Sequence, residues 1–179
     1  LIIGGDNVER IVVNDAHYKF SPFIVRLVAE QTDTSNITFE VQPSTFVSTL
    51  KLVARANLVV NTNVTSTSDL QIITDSDCSG QGSVVVAEHC QVQSGTDTHI
   101  EAHALVLEGI IKAVDMPIKF QTCRGRNITV GGQGQDRHDL YIEPLHNGYD
   151  KMWSDTPVTW ASASDLTFNV PMDVYGSGS

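Results

Sequence analysis

The chain has 179 residues, of which 41% are hydrophobic and only 18% charged. That is long enough for one domain with a substantial core, and too apolar and weakly charged for a disordered chain. The formal net charge is −10, spread along the sequence without an acidic tail, which disfavours nucleic acid and acidic lipid heads and tolerates cations and basic partners.

No apolar run approaches the roughly twenty residues that a membrane-crossing helix needs. No secretory leader is recognisable, and the chain opens at Leu1 without Met, which suggests a mature or excised segment.

In chain order the reading is almost entirely β, because Val, Ile and Thr dominate and alternate with polar residues. Residues 1–21 carry two strands, Leu1–Ile3 and Glu9–Val13, with a turn at Gly4-Gly5-Asp6-Asn7. Residues 22–46 form one coil. In its first strand Ile24, Arg26 and Val28 alternate with Val25, Leu27 and Ala29; a polar turn at 32–35 then leads into Ile37–Val41.

Residues 48–123 hold three stretches that rhyme. Leu50-Lys51-Leu52-Val53-Ala54 precedes Leu58-Val59-Val60 and Val64. Leu70-Gln71-Ile72-Ile73 precedes, after an insertion, Val84-Val85-Val86 and Val92. Ile100-Glu101-Ala102-His103-Ala104 precedes Leu105-Val106-Leu107 and Ile111. Each reads as a pair of strands closed by a polar turn, such as Ser66-Thr67-Ser68-Asp69 or Ser94-Gly95-Thr96-Asp97. A period of roughly twenty residues is that of stacking solenoid coils, which cannot bury their apolar stripe alone. Inner columns such as Leu52, Ile72, Ala102 and Phe120 are expected.

Residues 124–133 add a strand, Asn127-Ile128-Thr129-Val130, ending at Gly131-Gly132. Residues 134–165 lose the two-residue period, gain aromatics and read as an irregular excursion. The Asp165–Val170 segment looks like a second copy of the Leu1–Gly5 opening. The whole of 1–170 is therefore read as one solenoid module, with 22–132 as its regular coils and 171–179 as a linker or the start of a next module. The Gly176-Ser177-Gly178-Ser179 end reads as a flexible linker or a native turn.

The stretch Ser44–Ala54, with Leu58-Val59-Val60 and Ser66–Leu70, resembles the coils of filamentous-haemagglutinin-type adhesins and related giant β-strand-repeat surface proteins. The likeness covers residues 22–132. It implies a right-handed parallel β-helix and a cell-surface fibre or adhesin segment, with no catalytic residues to carry over. The cysteines, the sequons and the aromatic last third depart from that pattern.

Several residue groups point to chemistry. The sequons at Asn36, Asn63 and Asn127 suggest N-linked glycosylation in an extracellular setting, although Thr-rich β sequence also produces sequons by chance. Cys78, Cys90 and Cys123 suggest one disulfide and one leftover thiol, with three pairings open. Coils stack about 4.8 Å apart and a disulfide joins Cα atoms about 5.5 Å apart, so a Cys78–Cys123 bridge requires the loop at Cys78 to reach over an intervening coil.

Asp75 and Asp77, in Asp75-Ser76-Asp77-Cys78-Ser79-Gly80, resemble the opening of a calcium loop, but Val86 stands where a bidentate Glu is expected; a solvated turn is the plainer reading. His99, Glu101 and His103 alternate and could hold zinc, or simply form a polar outer face. Gly131–Gly134 lacks the Lys-Ser/Thr of a phosphate cradle.

Tyr141, Tyr149, Trp153 and Trp160 could make a sugar-stacking platform or a local packing pad. Enzymatic acids would have to come from pairs such as Glu101 with Glu108 or Asp75 with Glu88, which no Lys/Arg cluster accompanies. The reading is a non-enzymatic structural or adhesive module that stacks end to end on further copies or tandem modules. A carbohydrate-binding antiparallel β-sandwich and a polysaccharide-acting β-helix enzyme are its alternatives. No cofactor is expected apart from the calcium at Asp75 and Asp77.

Overall fold

A computed structural model describes residues 1–19, 24–114 and 118–123, and five further strands between 128 and 168. Every strand pairing in it is parallel. There is no α-helix among the described residues. The chain winds as a β-solenoid, and the antiparallel sandwich is excluded.

Each turn has three strands. The first turn is β1 (Ile2–Gly5), β2 (Arg10–Val13) and β3 (His17–Tyr18). The second is β4 (Val25–Ala29), β5 (Asn36–Phe39) and β6 (Ser44–Phe46), and the third is β7 (Leu50–Ala54), β8 (Leu58–Val60) and β9 (Val64–Ser66). The fourth is β10 (Leu70–Ile73), β11 (Ser83–Val86) and β12 (Gln91–Ser94). The fifth is β13 (Thr98–Glu101), β14 (Ala104–Leu107) and β15 (Ile110–Ala113), after which β16 (Ile118–Gln121) opens the sixth.

Stacking these turns makes three parallel sheets. Sheet A runs β1-β4-β7-β10-β13-β16 and ends on β20 (Thr159–Ala161). Sheet B runs β2-β5-β8-β11-β14, then β18 (Leu140–Ile142), β17 (Ile128–Val130) and β21 (Leu166–Phe168). Sheet C runs β3-β6-β9-β12-β15 and ends on β19 (Met152–Ser154).

Four details differ from the sequence reading. The repeat holds three strands, not two: the isolated Val64, Val92 and Ile111 belong to sheet C strands too short to show alternation. Regular stacking begins at β1, before residue 22. The segment 134–165 contributes β18, β19 and β20, one to each sheet, so it continues the solenoid; β18 sits inside β17, out of chain order. Finally, β1 belongs to sheet A and β21 to sheet B, so the two are not equivalent openings.

The core lies inside the three sheets, and its columns follow the register. In sheet A, Leu27, Leu52, Ile72, Ile100 and Phe120 stack directly on one another, all at most 2% exposed. The column expected to pass through Ala102 passes through Ile100 instead. Ala102 follows β13 and lies buried at the A–B corner. In sheet B, Ile37, Leu58, Val84 and Leu105 form the matching column, each fully buried.

Tight corners need particular residues. A Cβ at Gly95 would meet the carbonyl oxygen of Thr67, one coil below, at 2.2 Å. Val41 is the opposite case: it holds a left-handed φ of 65° while 69% exposed. A β-branched residue is disfavoured there by about 1–2 kcal/mol, and Asn tolerates that region better.

Two stability predictions follow from the register and the corners. Ile100→Ala opens a cavity in a closed column and costs about 2–5 kcal/mol. Gln71→Ala, at an outward position on the adjacent strand β10, shifts stability by no more than about 0.5 kcal/mol. Equal losses in urea melts of the two variants would contradict the inward and outward assignment. Val41→Asn relieves the left-handed valine and raises stability by about 1 kcal/mol; a melt showing a loss would contradict that reading.

Candidate functional site

Within the stretch described, the first turn has a neighbouring turn on one side. β1, β2 and β3 are the outermost strands of sheets A, B and C. Ile3 registers with Leu27 and so faces inward, yet it is 46% exposed where Leu27 is 2% exposed. The difference is that Leu27 has a turn on either side and Ile3 has one on only one side. Outside it, Leu1 and Ile2 are also exposed.

The backbone is equally open at this end. The Arg26 N–H donates to the Leu1 carbonyl at 2.8 Å. In a parallel ladder, Leu1 and Ile3 therefore turn their polar groups toward β4, while Ile2 and Gly4 turn theirs away. By the same alternation Arg10 and Val12 of β2 and His17 of β3 turn theirs away, since Glu9, Val13, Ala16 and Tyr18 accept from the second turn.

The corners are closed by polar side chains that stand in for missing ladder bonds. At the A–B corner the Asn57 Oδ1 accepts the Ser83 N–H at 3.1 Å. At the B–C corner the Asn63 Oδ1 accepts the Gln91 N–H at 2.8 Å. At the C–A corner the buried Ser66 hydroxyl donates to the Ser48 carbonyl at 2.7 Å. Asn63 is thus both a corner residue and a sequon asparagine, and it is exposed. Asn36, at the start of β5, donates its Nδ2 to the Thr34 carbonyl at 3.2 Å. Asn127 lies outside the described residues.

The insertion after β10 sits at the A–B corner. Asp75 turns inward, 4% exposed, and its Oδ1 accepts from the Gly80 N–H at 2.8 Å and the Ser79 hydroxyl at 3.1 Å. Asp77 accepts the Ser79 N–H and faces Arg55 at 3.6 Å. Both carboxylates thus organise the loop. The loop carries Cys78 over the fifth turn to Cys123, with Cα atoms 5.7 Å apart. Cys90 is the free thiol among the described residues; burial raises its pKa. It lines a shallow groove of about 220 Å³ at the B–C corner with Asn63, Glu88, His89 and Glu108.

The outer face of sheet A carries a column of which sequence reading singled out His99 alone. Register aligns Arg26, Lys51, Gln71, His99 and Lys119 in one outward column. Lys51, Gln71 and His99 each precede an inward residue of one column, Leu52, Ile72 and Ile100; aligning the rhyming stretches on Leu50, Leu70 and Ile100 puts Glu101 in that place and hides the column. A groove of about 440 Å³ on the same face is lined by Gln71, His99 and Lys119, with Asp69 and Asp97 among its other walls.

Burial, then Lys119 and Lys51, lower the pKa of His99. Glu101 is raised by burial and by Asp75, against the pull of Lys51. His103 does not join these two on one strand face, because β13 ends at Glu101 and the chain turns. Among the described residues, no three His, Cys, Asp or Glu come together as a metal-holding group.

The acid pairs are also separated. Glu101 closes β13 toward the A–B corner, while Glu108 follows β14 at the B–C corner. Asp75 and Glu88 are divided between the same two corners. Among the aromatics, Tyr141 belongs to β18 in sheet B, Trp153 to β19 in sheet C and Trp160 to β20 in sheet A. Tyr149 lies outside the described residues.

The His99 environment gives a pH test. Its folded-state pKa is lowered, so its contribution to stability is present above the unfolded value of about 6.5 and is lost as pH falls below it. In an NMR titration, the His99 ring has a midpoint below the ordinary imidazole range. Lys119→Gln raises it, while Lys112→Gln, on sheet C, leaves it in place. A midpoint indifferent to Lys119→Gln would contradict the column. Comparison with protein-family models, with curated proteins and with solved structures found no match.

Proposed function

We propose that this chain is a structural and adhesive module of an extracellular or cell-surface fibre, assembling end to end through stacking of its β-helix turns. The observation that carries the reading is the parallel stacking itself, in which each turn completes its neighbour and the first turn of this stretch offers a matching face. Ile3, an inward residue, is 46% exposed, and beside it lie outward-turned backbone groups on three parallel edges. An exposed, paired-ready edge with an apolar floor is a surface that natural proteins cap, cover or use for association. A further parallel turn, from a tandem module or another copy of the chain, satisfies the backbone and the apolar residue together.

Other features fit this reading. The Cys78–Cys123 bridge ties the fourth turn to the sixth and is of a kind that persists in oxidising compartments. Glycans on Asn36, Asn63 and Asn127 belong to the same extracellular reading. A shape built from stacked turns resists bending through continuous ladders and presents long flat faces for contact.

Light scattering on a concentration series of the 179-residue chain tests this. The average mass rises with concentration, and Ile3→Lys returns the chain to a monomer with its circular dichroism and melting unchanged. A wild-type chain that is monomeric at every concentration would overturn end-to-end assembly.

A further inference from the structure

The outer column of sheet A behaves unlike the rest of this acidic molecule. Seven lysines and arginines fall among the described residues, and three of them, Arg26, Lys51 and Lys119, stand in one column with His99 and Gln71. The net charge of the chain is −10, so this line of cations runs against the overall balance. None of the three cations has a salt-bridge partner among the described residues. The Nε of Arg26 is buried without a hydrogen-bond partner, while Lys119 is exposed.

The spacing is set by the backbone. Turns repeat about every 4.8 Å, so the column from Arg26 to Lys119 is about 19 Å long and nearly straight along the axis. Over its upper half it opens into the groove of about 440 Å³. Carboxylates stand on the flanks and not in the line: Asp69 and Asp97 among the groove walls, and Glu101 at the far end of β13. The Asp69 carboxylate already accepts the Thr96 hydroxyl, so it works here as an acceptor of hydroxyl hydrogen bonds.

We propose that the outer face of sheet A, along Arg26, Lys51, Gln71, His99 and Lys119, binds an extended acidic polysaccharide lying parallel to the solenoid axis. The cations meet carboxylate or sulfate groups. The Gln71 amide both donates to and accepts from sugar hydroxyls, and the flanking carboxylates accept from them. A nucleic acid fits less well: its phosphates would pass close to Asp69, Asp97 and Glu101 and bring few hydroxyls to them. The inference concerns a side face and does not rest on the end-to-end reading.

The test uses the 179-residue chain and three probes: a sulfated, carboxylated glycosaminoglycan octasaccharide, a neutral dextran oligomer of equal length, and a short single-stranded DNA. Calorimetry at low salt shows binding of the first alone. Lys51→Gln with Lys119→Gln weakens it at least tenfold with melting unchanged, and Lys112→Gln on sheet C does not. In the wild type, the octasaccharide raises the titration midpoint of the His99 ring, because an anion settles beside it. The proposal is overturned if the octasaccharide does not bind, if the double variant binds as the wild type does, or if DNA binds as tightly as the octasaccharide.

Discussion

Everything in this molecule depends on one constraint: each turn must be covered above and below by another turn in parallel register. An isolated turn has one apolar residue in two facing inward and unpaired backbone groups on both edges. Stacking satisfies both at once, because the ladder that pairs the backbone also places Leu52 on Leu27 and Ile72 on Leu52. Apolar burial at about 25 cal/mol per Å² is then repeated along the axis rather than gathered at one centre. The same constraint explains why the first turn is anomalous, since Ile3 is the member of the Leu27 column with a neighbour on only one side.

Much of this was legible in the sequence because period and spacing are backbone properties. The Leu50–Ala54, Leu70–Ile73 and Ile100–Ala104 stretches announced the solenoid, and three cysteines announced one bridge and one thiol, while the Cys78–Cys123 pairing itself comes from the structure. What failed to show were the short strands of sheet C. Three residues such as Val64–Ser66 cannot display alternation, and Ser66 and Ser94 looked like turn residues. They are buried because their hydroxyls serve carbonyls at the corner, Ser48 for one and Thr96 for the other. Choosing Ala102 over Ile100 for the inner column was a two-residue slip, which keeps the side-chain parity and is therefore invisible to a period-two argument.

The candidate site was less legible for a related reason. Total charge averages over all faces, whereas a solenoid sorts residues by column. A Lys, an Arg and a His separated by whole turns in sequence become neighbours about 4.8 Å apart, or a small multiple of it. The acid pairs suffered the reverse: Glu101 and Glu108 are close in sequence but fall on different corners. In such a fold, function is to be looked for along columns before it is looked for in motifs.

The register itself is the claim on which fold, open end and cation column all rest. Methyl contacts between β7 and β10, read from nuclear Overhauser spectra of the labelled chain, test it most directly. The parallel register places Leu50 against Leu70 and Leu52 against Ile72. Contacts of Leu50 with Ile72 and of Leu52 with Leu70 would mean that the strands run in opposite directions, and the stacked turns would be lost with them.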